Sequence, residues 1–114
     1  MPTAPIKEVY IQRAILDLLV WRGFLAWREQ SIPVPIRRGS KIVGLRKADP
    51  HKVGMPDIFA LKGGRLLAIE VKSATGKPSP EQFEWKEKLE RAGALHLFAR
   101  SVEEVEGFIN AHKL

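Results

Sequence analysis

The chain has 114 residues, with 19 Lys and Arg against 13 Asp and Glu, and no cysteine. That length suits one domain, residues 1–114, since domains commonly run to about 100–200 residues. The missing cysteine excludes a disulfide scaffold, a thiol nucleophile and a cysteine-built zinc site.

With 45% hydrophobic and 28% charged residues the composition is globular, not disordered. No apolar run reaches the roughly 18 residues of a membrane span. Residues 14–20 come nearest and are broken by Asp17. Residues 1–8 lack a basic stretch feeding an apolar one, so the expectation is a soluble protein kept inside the cell.

The charge is unevenly spread. Residues 1–56 hold 10 basic and 4 acidic side chains, and residues 57–114 hold 9 of each. The whole excess of +6 therefore lies in the first half. Arg37, Arg38, Lys41, Arg46, Lys47 and Lys52 crowd into sixteen residues against Asp49 alone. Clustered cations favour a polyanion by counterion release; a solubilising surface is the rival reading.

In chain order, apolar residues from Ile6 to Trp21 recur near a 3.6-residue period, and Gly23 ends that helix. Residues 24–31 read as a strand, and Pro33 and Pro35 keep the following chain extended or at an edge. Residues 37–55, with three glycines and Pro50, read as a basic hairpin or long loop, with residues 42–45 as a possible short strand.

Residues 57–61 form a strand, Lys62-Gly63-Gly64 a tight turn, and residues 65–72 the return strand. The centre of that strand is apolar without alternation, as in a strand covered on both faces. Ser79 caps a helix to about Ala92, with Pro80 at its first position and Gln82 three after the cap. Residues 94–99 are an apolar strand. Ser101, with Glu104 closing a capping box, starts the last helix. The order predicts an α/β sandwich with a mixed central sheet.

Glu70 and Lys72 lie two apart on the most apolar strand, so they share a face where burial is expected. Such groups are rarely buried unless paired or bound to a metal. Asp57 begins the partner strand. A turn centred on Gly63 would set it opposite residues 65–68; one centred nearer Gly64, or a bend, would bring it to Glu70. Two carboxylates and a lysine suit Mg²⁺ or Mn²⁺ and a phosphodiester. The carbonyl of Val71 is a further candidate ligand. The rival reading is a structural Glu–Lys pair and a turn-starting Asp after Pro56.

Met55-Pro56-Asp57 followed by Ile69-Glu70-Val71-Lys72 resembles the PD-(D/E)XK nuclease signature. Together with Gly54, Gly76-Lys77, Ser79, Gln82 and Gly93, the pattern resembles the VRR-NUC domain, a virus-type replication and repair nuclease module. The resemblance implies a restriction-endonuclease-like αβββαβ core and metal-dependent cleavage of DNA phosphodiesters that leaves a 5′-phosphate. It implies Asp57 and Glu70 as metal ligands, Lys72 as the catalytic lysine, Gln82 as the glutamine after the signature, and Glu8 as the acid on the first helix that completes the metal site.

Gln82 also fits a capping box with Ser79, and Glu8 fits the helix dipole. Lys77 either touches phosphate or is a solvated loop residue. Trp21, Trp27 and Trp85 are expected in the core. His51, His96 and His112 lack partners at ligand spacing, and no phosphate loop, GxGxxG or GxSxG occurs. Val102, Val105, Phe108 and Ile109 suit either core or interface.

The expected function is a structure-specific endonuclease similar to Holliday-junction resolvases. It would act on branched DNA as a homodimer in the cytoplasm of a bacterium or phage-infected cell. A non-catalytic DNA-binding module, a nuclease needing a partner, and a restriction-type enzyme are the alternatives.

Overall fold

The computed structural model describes residues 7–29, 34–46 and 52–114. Lys47, His51, Pro33 and the start of the chain lie outside the described residues. The elements are α1 (Glu8–Trp21), β1 (Leu25–Arg28), β2 (Val34–Arg38), β3 (Lys41–Arg46), β4 (Ile58–Lys62), β5 (Arg65–Val71), α2 (Pro80–Arg91), β6 (Leu95–Ala99) and α3 (Val102–Ala111). The order agrees with the sequence reading, with residues 34–46 forming the hairpin.

A four-stranded sheet runs β1-β4-β5-β6. The first two pairings are antiparallel and β5–β6 is parallel. Antiparallel neighbours need only a tight turn, whereas the parallel pair needs a crossover, and α2 supplies it. Gly63 and Gly64 have φ of +56° and +77°, the double positive φ of a type I′ turn. This turn pairs Lys62 with Arg65 and Ile58 with Ile69.

Alternation divides the sheet. One face, carrying Ile58, Ala60, Leu67, Ile69, Val71 and Ala99, packs with α1 and α3 into the core. Helix α1 buries Ile11, Ile15 and Leu19, four residues apart, and α3 buries Val105 and Ile109. Each such side chain contributes about 1.5–3 kcal/mol of hydrophobic stabilisation. Val102 and Phe108 pack against the same cluster, so the apolar stripe of α3 is core. Lys62 Nζ donates to Arg22 O at 2.8 Å, satisfying a carbonyl at the C-terminal end of α1.

The other face carries Phe59, Ala68, Glu70, His96 and Phe98 by the same alternation. Helix α2 lies on its β6 side and buries none of its own residues. Phe83 meets Phe98 edge to face at 5.1 Å. The tryptophans depart from the core expectation: Trp21 is 84% exposed and Trp27 is exposed against Phe59. Trp85 is half-buried, its indole N–H donating to Val53 O at 3.0 Å.

β2 and β3 form a separate two-stranded sheet with a bulge between Ile36 and Arg37. Among the described residues no helix is long and apolar enough to cross a membrane.

Candidate active site

The site lies where β5 ends. The two-glycine turn sets the register, so the position after the Ile58–Ile69 pair puts Asp57 across from Glu70. Of the two arrangements the sequence left open, the convergent one is realised. Asp57 Oδ2 accepts from the backbone N–H of Val71 at 2.8 Å. Val71 therefore serves the site through its amide, holding Asp57 toward Glu70.

Glu70 is buried, with 4% of its surface exposed. Its Oε1 accepts from Gln82 Nε2 at 2.7 Å and lies 3.5 Å from Lys72 Nζ. Its Oε2 is buried with no partner. An orphaned carboxylate oxygen costs free energy.

Burial is the main force raising the Glu70 carboxyl, to about 8, with the Asp57 charge adding to it and Lys72 opposing. Asp57 is also raised, first by burial, against the hydrogen bond from Val71. Two acids that resist ionising side by side are stabilised by a cation between them. Among the described residues, no three carboxylates or imidazoles stand close enough together to hold a metal. The facing pair and the free Oε2 still fit Mg²⁺ or Mn²⁺, which commonly take one or two carboxylates and keep several waters. Glu8 stands close enough for its charge to raise both acids. Its Oε1 accepts from Ser73 N–H at 3.1 Å, so α1 is tied to the loop after β5.

Gln82 closes the capping box with Ser79 and also hydrogen-bonds Glu70. Its Oε1 accepts from the Ser79 N–H at 2.9 Å, and its own N–H donates to Ser79 Oγ at 3.2 Å. That capping box fixes the side chain, whose amide nitrogen then reaches Glu70. At α3 the box is incomplete: Ser101 accepts from Glu104 N–H, but the Glu104 carboxylate takes the Arg100 N–H instead.

Gly54 is a positioning residue that the sequence showed only as a motif letter. Its φ is +82°, and a Cβ there would lie 2.6–2.7 Å from Glu81 backbone and side-chain atoms. Only glycine lets this segment lie against α2 and lead through buried Pro56 to Asp57. Gly76 lies beside the site in ordinary van der Waals contact, its Cβ position 3.6 Å from Glu8 Oε1 and Lys72 Cδ.

Of the basic residues, Arg37, Arg38 and Lys41 flank the hairpin turn and are exposed. Arg46 ends β3. Lys52 and Lys77 are exposed, Lys77 in the loop between β5 and α2.

No family model matches the chain, and no curated protein matches it. Among solved structures it is similar to one described as a VRR_NUC domain, with a TM-score of 0.61 and 21% identity. The alignment covers 90% of this chain and 94% of that one. The fold is thus the mixed α/β fold of the VRR-NUC nuclease domains, as the motif resemblance implied.

Proposed function

We propose that the chain is a divalent-metal-dependent DNA endonuclease that cuts branched DNA as a homodimer. The observation that carries this reading is the half-buried Asp57 set beside buried Glu70, with one Glu70 carboxylate oxygen free and Lys72 next to it. A structural ion pair alone would leave neither an orphaned oxygen nor a second acid facing it.

Asp57 and Glu70 would hold Mg²⁺ or Mn²⁺, which supplies Lewis acidity to the phosphodiester. The chain's own groups do the rest. Gln82 and Lys72 engage Glu70 Oε1, which leaves Oε2 available to the ligand. The Lys72 amine sits at the same strand end. There it orients the attacking water and stabilises negative charge growing on the phosphate. Arg37, Arg38 and Lys41 grip the DNA backbone, with Arg46, Lys52 and Lys77 extending the contact. No base-reading element stands out, which favours recognition of DNA shape. One site cuts one strand, so cutting both strands of a junction calls for two copies.

The test is a nicking assay on four-way, flap and linear duplex DNA with Mg²⁺, Mn²⁺ or EDTA. Asp57→Asn and Lys72→Ala are run beside the parent chain, and sedimentation gives the stoichiometry. Metal-dependent cutting of branched DNA, lost in both variants while binding persists, is the expected result. Salt-sensitive binding without cutting under any metal overturns it in favour of a DNA-binding module.

A further inference from the structure

A groove of about 360 Å³ opens beside the candidate active site, between α1 and the start of α3. Its walls are mostly apolar: Tyr10 and Ala14 from α1, Ala74 from the loop after β5, and Val102 from α3. Arg100 and Glu103 supply its polar rim. Tyr10 is 59% exposed, an aromatic ring left at a pocket wall.

The groove is continuous with the site through Ser73. Glu8 holds the Ser73 N–H, and the Arg100 guanidinium donates to the Ser73 carbonyl. Glu8 acts by its charge on the two acids and Arg100 belongs to the groove, so a single residue joins the two. Both also lie beyond the carboxyl ends of β5 and β6, the parallel pair, where open α/β sheets place their ligands.

We infer that this groove receives one unpaired nucleotide of the DNA strand being cut. The inference rests on the nuclease reading for its biological meaning. The lining selects the ligand class. An apolar wall with one aromatic ring suits the face of a nucleobase, since stacking on aromatic side chains holds bases without regard to sequence. The volume is at the small end of ligand pockets, the scale of a single nucleotide. A base in a duplex is stacked and paired, so the occupant is one already free or splayed out. Arg100 faces the phosphate of that nucleotide. Glu103 repels phosphate, so it lies on the base side, where a carboxylate accepts from an exocyclic amino group. Branched and flapped DNA carry such nucleotides beside the branch; linear duplex does not.

The test separates this subsite from catalysis by working first in EDTA. A short single strand labelled with 2-aminopurine is titrated with the full chain, and the same label fully paired in a duplex is the control. The parent chain quenches the unpaired label and not the paired one. Tyr10→Ala weakens binding of the unpaired label about tenfold, and Tyr10→Phe restores it. Ala74→Trp, which fills the groove from an exposed loop, weakens it similarly. Equal affinity of Tyr10→Ala and the parent chain, or equal quenching of the paired label, overturns the inference. Cleavage is then read with Mg²⁺. If the parent chain cuts and Tyr10→Ala neither binds nor cuts differently, the subsite fails and the nuclease reading stands. Tyr10-dependent binding with no cutting under any metal supports the subsite and removes the nuclease reading.

Discussion

At the scale of single residues, Glu70 joins several constraints. It is buried, accepts from Gln82, pairs with Lys72 and keeps one oxygen free. Its carboxyl is raised from 4.5 to about 8, so the folded chain holds a proton there that the unfolded chain has lost. Stability from this group is present below pH 4.5 and is lost as pH rises toward 8. A cation competes with that proton, so Mg²⁺ should raise the melting temperature more at pH 8.5 than at pH 6. Glu70→Gln should abolish the difference in thermal melts with and without EDTA. Gly54→Ala acts through shape alone. It imposes a left-handed backbone on alanine and drives its Cβ into Glu81, so a loss of at least about 2 kcal/mol is expected in urea unfolding. Activity per folded molecule should fall too, because residue 54 sets where Pro56 delivers Asp57. The motif letters of this region were legible in the sequence. The physical demand for glycine was not, because the partner that excludes a side chain is 27 positions further along.

At the scale of elements, most of the chain follows its own local signals. Period-3.6 apolar spacing, capping serines and paired glycines located the three helices and the β4–β5 turn. Register was harder: one residue of turn placement decides whether Asp57 faces Glu70, and composition alone leaves both open. Burial also misled at Trp21, which continues the apolar period of α1 yet falls on its exposed side. Strand β6 carries a feature with no sequence signal. His96 is 4% exposed, both ring nitrogens lack partners, and it lies against Phe98. Burial and the Lys86 charge lower its pKa to about 4, against the smaller pull of Glu90. The unfolded chain therefore binds a proton between pH 6.5 and 4 that the folded chain refuses. Stability present above pH 6.5 is lost as pH falls through that window, by up to about 3 kcal/mol. Urea unfolding at pH 7 and pH 4.5 measures this, and His96→Phe should remove most of the loss.

At the scale of the whole molecule, the net charge sits with the hairpin while the candidate site sits in an electrically balanced half. Arg37, Arg38 and Lys41 share the β2–β3 sheet, apart from the main one. Replacing all three with alanine should lower the slope of log binding constant against log salt by about 2–3, since each phosphate contact contributes about 0.9. Cutting at saturating DNA should fall far less, because none of the three lies at the reaction centre. The basic half was readable from composition; that its cations flank one β-turn required the fold. The shallow seating of α2 has a last consequence. A helix with no buried residue, held by an edge-on ring contact, an indole hydrogen bond and one side-chain amide, opens more cheaply than the buried strands beneath it. Its amide protons should exchange with solvent well before those of β5. Each such opening removes the donor from Glu70 and leaves the acid pair briefly wet. The candidate site of this protein is thus a breathing surface laid over a rigid sheet.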